Sequence, residues 1–363
     1  MLSALRRAIV PLLLATTPAA AQQRDATTFT VGTATAVRGA TATGVIAVSA
    51  GVDSALEIPV AVIHGARPGP VVAFVAGSHG TEYASIVALQ RLIPRIDGQR
   101  LAGTVIIVPI INIPSFLRMT PHINPVDGRG MNASYPGDAA GTQTQRALAR
   151  VASEVVAPAD VVVDLHGGDL DENLRPYSYW FRGGNAAQDS ASLALILAFG
   201  LDHVIVTDVD RTAPNFGRSL STYALGKDKP VLVAEAGRSG TVADADVGAL
   251  VEGSLNVLGA LKMLNRPVRP VARPVWLSGA GARIAADSAG FFFAAVDRDA
   301  RVSAGQLLGY TTDYLGRRTG AIRSPIAGVV TFIRGVPSMW PRATLVNVLP
   351  LRDDPRVSPR RGM

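Results

Sequence analysis

Four short stretches of this 363-residue chain carry side chains whose types and spacing suit hydrolytic chemistry. In Gly77-Ser78-His79-Gly80-Thr81-Glu82 an imidazole and a carboxylate stand three residues apart. The flanking glycines let the chain turn, so that both groups can reach one metal ion. In Asp164-Leu165-His166-Gly167-Gly168 a histidine leaves a run of valines and enters a Gly-Gly loop, with Asp164 placed to hydrogen-bond and orient a ligand. Glu235 follows Val231-Leu232-Val233-Ala234. A carboxylate there, beside an activated water, can take a proton and pass it to a leaving amine. The long loop from Asn124 to Gly137 adds Arg129, a planar fork of donors suited to a carboxylate or an oxyanion. It also adds Asn132, able to hydrogen-bond a substrate carboxylate or carbonyl. Taken singly, each residue also fits a plainer role: a surface His–Glu pair, a satisfied core histidine, a salt-bridged glutamate at a strand end, a surface arginine on a structural loop.

The elements that must position these residues are legible from patterning. Continuous apolar runs at Val71–Val75, Val105–Ile111, Val161–Leu165, His203–Thr207 and Val231–Ala234 read as strands buried on both faces. Helical segments lie between them at Tyr83–Leu92, Gln143–Glu154, Ala191–Phe199 and Val247–Leu264. Buried strands alternating with helices predict an α/β domain built on a mixed, largely parallel twisted sheet flanked by helices. Functional residues of such a sheet sit at the carboxyl ends of its strands, where His79, Glu82, His166 and Glu235 all fall. Before this, from Phe29 to Ile63, short apolar segments broken by glycines read as strands and hairpins. After Asn265, Pro267, Pro270 and Pro274 read as a linker. Beyond it short β-type runs recur at Gly290–Val296, Leu307–Thr311, Gly328–Ile333 and Thr344–Val348, predicting a small C-terminal all-β domain. The expected division is a signal peptide over 1–21, a catalytic domain over 22–265, a β domain over 266–350 and a disordered basic tail over 351–363.

The signal-peptide reading rests on Arg6-Arg7, the apolar stretch Ala8–Ala15 and Ala19-Ala20-Ala21 before Gln22. That apolar stretch is far short of the roughly 20 residues a membrane span needs, so the chain is expected in the periplasm or secreted, with no stable membrane anchor. Cysteine is absent, which excludes disulfides, a thiol nucleophile and a lipid-bearing cysteine. The formal charge of +7 is scattered, densest at Arg356, Arg360 and Arg361 in the tail. No basic stripe interleaved with aromatics suggests nucleic-acid binding, and no Gly-x-x-x-x-Gly-Lys-Ser/Thr run supports phosphoryl transfer.

The motifs Gly77–Glu82, Asp127-Gly128-Arg129-Gly130-Met131-Asn132, Asp164-Leu165-His166 and Glu235-Ala236-Gly237, in that order, resemble the succinylglutamate desuccinylase/aspartoacylase family of zinc carboxypeptidase-like hydrolases. The resemblance covers roughly residues 29–350. It implies that His79, Glu82 and His166 hold one zinc ion per chain, that Glu235 is the general base and acid, that Arg129 polarises the scissile carbonyl and steadies its oxyanion, and that Asn132 contacts substrate. The implied reaction is zinc-dependent hydrolysis of a small amide, as in a deacylase of N-acyl amino acids. The alternatives are an envelope metallocarboxypeptidase acting on peptides and a catalytically silent zinc-binding relative. One position departs from the pattern: the family has an arginine after the asparagine, and this chain has Ala133. Either the substrate lacks a carboxylate there or another arginine reaches in, with Arg175 the candidate. The acidic cluster Asp169, Asp171 and Glu172 could instead favour a cationic amine on the substrate.

Overall fold

The structure, a computed structural model, describes residues 27–356. The signal-peptide reading over 1–21 lies outside the described residues, as do Arg360 and Arg361. Among the described residues no helix is long and apolar enough to cross a membrane.

Four parallel strands form the centre: β5 (Arg67–Ala76), β6 (Ala102–Val108), β7 (Val161–His166) and β10 (Val231–Arg238), in the order β6-β5-β7-β10. Antiparallel β4 (Leu56–His64) and β3 (Ala40–Val48) extend the β6 edge. The fold class expected from the sequence is therefore the one present. Consecutive side chains of a strand point to opposite faces, and here each face meets its own helices. Val161, Val163 and Leu165 pack with α1 (Tyr83–Leu92), α4 (Ala186–Phe199) and α6 (Asp244–Ala260) in one core. Val162, Val231 and Val233 pack with α3 (Gln143–Val151) and α5 (Leu220–Gly226) in a second. Burial on both faces is why these strands read as unbroken valine runs.

The strand β8 (Glu172–Arg182) is not among the strands expected from the sequence; Arg175-Pro176 interrupts its pattern. It pairs antiparallel with β10, and its register shifts opposite Glu235 and Gly237, between Tyr177 and Leu174. Arg175-Pro176 occupies that irregularity, a place where a strand tolerates proline. On its other edge β8 forks. Residues 178–182 pair with β9 (His203–Asp208), and residues 172–174 pair with β17 (Gly328–Arg334) of the C-terminal region.

This fork revises the expected boundaries. β11 (Val275–Ser278), just beyond Pro274 and within the β domain expected over 266–350, pairs parallel with β9 and so belongs to the main sheet. The C-terminal strands keep a small core of their own around Leu308, Val330, Leu345 and Val346. Through β17 and β19 (Thr344–Leu349) they also continue the main sheet without a break in hydrogen bonding. The tail expected to be disordered from 351 is ordered through its first residues. Leu351 bridges Leu277, Arg352 N donates to the Trp276 carbonyl, and the Arg356 guanidinium lies 5.4 Å from the Trp276 ring centre. An apolar ring beside a guanidinium gives this arginine a docking surface that charge counting does not reveal.

Candidate active site

The register of the sheet builds the site. Glu235 pairs with His166 across β10 and β7, Val233 with Asp164, and on the other side Glu235 pairs with Tyr177 and Val233 with Tyr179. Residues in register on neighbouring strands share a face. Asp164, His166, Val233, Glu235, Tyr177, Tyr179 and Phe181 accordingly line one cavity of about 340 Å³. Leu174, Phe332 and Asn347, themselves in register across β8, β17 and β19, extend the same wall.

His79 and Glu82 enter from the turn after β5. Gly77 has φ +63, and a Cβ there would lie 2.7 Å from the Ile110 Cα. A Cβ on Gly80 would lie 2.4 Å from both the Asn112 carbonyl oxygen and the Phe116 nitrogen. The turn is thus packed against the start of α2 (Ile113–Arg118) through positions only glycine fits. Glu82 stands at the N-cap of α1 but does not cap it; its carboxylate turns into the site. Oε1 lies 2.6 Å from His79 Nδ1, and Oε2 lies 2.9 Å from His166 Nδ1 and accepts from Gly167 N at 3.0 Å.

These three side chains offer ligand atoms all within 4.8 Å of one another. Two imidazole nitrogens and a carboxylate form the donor set of a catalytic zinc site, which keeps further positions open for water and substrate. The residues present therefore fit a metal. With Nδ1 of His166 turned to this centre, Nε2 carries the proton, and Asp164 Oδ1 lies 3.2 Å from it. A carboxylate this close attracts a proton on Nε2 and so favours the tautomer that leaves Nδ1 free to bind a metal. Asn132 Nδ2 lies within hydrogen-bond distance of the same Nε2, at 3.3 Å. Its Oδ1 accepts from Leu220 N at 3.4 Å, tying the loop to the start of α5.

Electrostatics separate the carboxylates by role. Burial opposes ionisation of Glu82, but His166 and His79 outweigh it, so its carboxyl lies far below the usual range. Burial would lower His166, yet Glu82 and Asp164 hold it well above the ordinary histidine value. Glu235 has no such ion pair: burial pushes it up to about 7, against the pull of His166 and of the Tyr177 hydroxyl, which donates to Oε2 at 2.8 Å. Glu172 is raised well above the usual carboxyl value by burial and by the charges of Glu82 and Glu235.

The chain matches the succinylglutamate desuccinylase/aspartoacylase catalytic domain over residues 68–261, a span that includes every strand-end residue above. The chain belongs to this family. A Halomonas elongata N-alpha-acetyl-L-2,4-diaminobutyric acid deacetylase is 34% identical over 152 residues, 42% of this chain and 44% of that relative's length. A Rhodobacter sphaeroides succinylglutamate desuccinylase/aspartoacylase structure covers 83% of this chain and 91% of its own, at 25% identity and TM-score 0.73. A product-bound structure of an ectoine utilization protein from Ruegeria pomeroyi covers 85% of this chain and 95% of its own, with TM-score 0.78 at 23% identity, and bears on the fold.

Within this family member the structure brings together His79, Glu82, His166, Glu235 and Asn132. It does not bring in Arg175. That guanidinium bonds Asp202 at 2.6 Å and pairs with Asp299 at 2.9 Å, outside the cavity lining. The substrate-binding role expected of it is therefore withdrawn. Arg129 is exposed on its loop, between His122 and Asn132, which do line the cavity. His122, Tyr177, Tyr179, Phe332 and Asn347 were not anticipated as cavity residues. The alternation Tyr177-x-Tyr179-x-Phe181 was the available signal for the aromatic wall.

Proposed function

We propose that this protein is a zinc-dependent deacylase that hydrolyses a small N-acyl amino acid or related amide. The observation that carries the reading is the shared face on which a His–Glu–His centre stands beside a buried carboxyl raised to about 7. His79, Glu82 and His166 would hold the zinc ion, which when bound would supply Lewis acidity toward a water and the amide carbonyl. Glu235 takes the proton as the water oxygen bonds to the carbonyl carbon. It then delivers that proton to the amine nitrogen as the carbon–nitrogen bond breaks, releasing a carboxylate and an amine. A carboxyl group poised near neutrality does both jobs, because neither protonation state is strongly preferred. Tyr177 holds one Glu235 oxygen, leaving the other toward the reacting atoms. Asn132 positions the substrate, and Arg129 serves the oxyanion by folding inward from its exposed loop.

The test is a panel of N-acyl amino acids, N-acyl amines and short peptides with the zinc-loaded protein. The acetylated diamino acid of the 34%-identical relative is the natural first member. We expect amide hydrolysis in wild type and, in Glu235→Gln, full zinc content with turnover lowered by about 10²-fold or more. Unchanged turnover in that variant removes the assigned role, and peptide cleavage without deacylation favours the carboxypeptidase reading. Export is part of the proposal, resting on the residues before Gln22; N-terminal sequencing of the mature protein checks it.

A further inference from the structure

The chemistry of the cavity changes from strand to strand across the sheet. β7 brings His166, β10 brings Glu235 and Val233, and β8 brings Tyr177, Tyr179 and Phe181. Neighbouring strands lie about 4.8 Å apart. The aromatic side chains of β8 therefore stand on the far side of Glu235 from His166 and the metal group. Glu235 hands its proton to the leaving nitrogen, so the amine half of the substrate points toward β8 and the acyl half stays on the metal side.

That wall offers apolar surface. Tyr179 and Phe181 are half-buried, packing on the second core while lining the cavity. Their rings are nearly parallel, 8° between planes with centres 5.4 Å apart, and Tyr177 meets Tyr179 edge-on at 5.2 Å. Val233, in register with Tyr179, adds a methyl surface beside them. The polar groups near the wall are already engaged. Ser219 and Ser221 share a hydrogen bond at 3.1 Å, the Tyr177 hydroxyl donates to Glu235 at 2.8 Å, and Asp164 lies 3.2 Å from His166 Nε2. Among the described residues no lysine or arginine lines the cavity, and Glu172, at the start of β8, stands in register with the buried Arg334. An anion on this wall would face Glu235 and Asp164 with no counter-charge. A cation would lose its water and find both carboxylates taken. An uncharged ring gains instead from burial and from the geometry of aromatic contacts.

We propose that Tyr179, Phe181 and Val233 form the specificity pocket for the amine half of the substrate, and that it takes an uncharged, ring-bearing group. The preferred substrates are then N-acyl arylalkylamines rather than amides whose amine half carries a charged end. This rests on the deacylase reading above.

Four acetamides separate the possibilities: N-acetyl-2-phenylethylamine (aromatic), N-butylacetamide (aliphatic), N-acetyl-1,4-diaminobutane (cationic) and N-acetyl-4-aminobutyrate (anionic). Wild type is expected to favour the aromatic compound over the aliphatic one by about tenfold or more in kcat/KM, the range of a few buried methylenes. Both charged compounds should rank below the aliphatic one. The differences should lie in KM, because a ring remote from the breaking bond is held alike in ground and transition states. Phe181→Leu keeps apolar bulk but removes a ring, and should lower the aromatic-to-aliphatic ratio by about fivefold, with zinc content unchanged. Phe181→Arg, at a half-buried position, is the second variant and should raise the anionic compound above the aliphatic one. Calorimetric binding of the four compounds to the zinc-loaded protein ranks them without turnover. If no acetamide is hydrolysed, the deacylase reading fails while the binding order still decides the pocket. Hydrolysis or binding indifferent to the ring, a wild-type preference for either charged compound, or an order that neither variant changes overturns the proposal.

Discussion

At the scale of single residues, the site separates four carboxylates by neighbour rather than by type. Glu82 is held ionised between two imidazoles, whereas Glu235, buried without an ion-pair partner, is pushed up to about 7. As a base Glu235 acts ionised, so kcat/KM should rise with pH through its apparent pKa. A cation bound at His79, Glu82 and His166 would favour the ionised form of Glu235 and so move the acid limb to lower pH. The Tyr177 hydroxyl stabilises the anion, so Tyr177→Phe should raise that pKa and move the acid limb to higher pH, by about one pH unit or less. A pH–rate profile of the two proteins checks the sign; a shift to lower pH would contradict the hydrogen bond's role. The imidazole side gives a graded pair of outcomes. His166→Ala should abolish stoichiometric zinc, while Asp164→Asn, which touches only the outer nitrogen, should weaken affinity by about 10–100-fold. Competition with a chelator measures both, and full zinc in His166→Ala would remove it from the ligand set.

At the scale of elements, what was readable and what was not follow from one property of strands. A run such as Val161–Leu165 announces a strand buried on both faces, and the polar residue that ends it announces a strand end. That was enough to place His79, Glu82, His166 and Glu235. It could not show which strands neighbour one another, and the cavity is made by neighbours. Tyr177 and Tyr179 belong to a strand hidden by Arg175-Pro176, which only the register shift opposite Glu235 and Gly237 accommodates. Arg175 looked like a free cation close to His166 in sequence; strand pairing sends it instead to Asp202 and Asp299. The turn after β5 gives the element-scale prediction. Gly80→Ala drives a Cβ against backbone atoms of α2, which cannot yield as a flexible side chain would. It should cost about 1–3 kcal/mol in denaturant unfolding. It should also weaken zinc binding, because His79 and Glu82 flank it. Loss of stability with unaltered zinc affinity would show that the turn supports the fold without setting the ligands.

At the scale of the whole molecule, the C-terminal strands are part of the catalytic sheet and contribute Phe332 and Asn347 to its cavity. Arg334 is the clamp between the two. Its side chain is 1% exposed, it pairs with Asp171 in the stretch between His166 and β8, and it donates to the carbonyls of Ser338 and Thr344. Removing one member of a buried pair leaves the other charge uncompensated, so Arg334→Met should destabilise the protein by about 3–5 kcal/mol. Adding Asp171→Asn removes the orphaned charge and should restore part of that loss, which a double-mutant cycle quantifies. Because the same strand carries Phe332, the single variant should also raise KM for the amide while leaving zinc content intact, the metal group being held by β5, β7 and α1 alone. If Arg334→Met unfolded the C-terminal strands with KM unchanged, the wall formed by Phe332 and Asn347 would play no part in holding substrate. The cavity would then be shaped by β7, β8 and β10 alone.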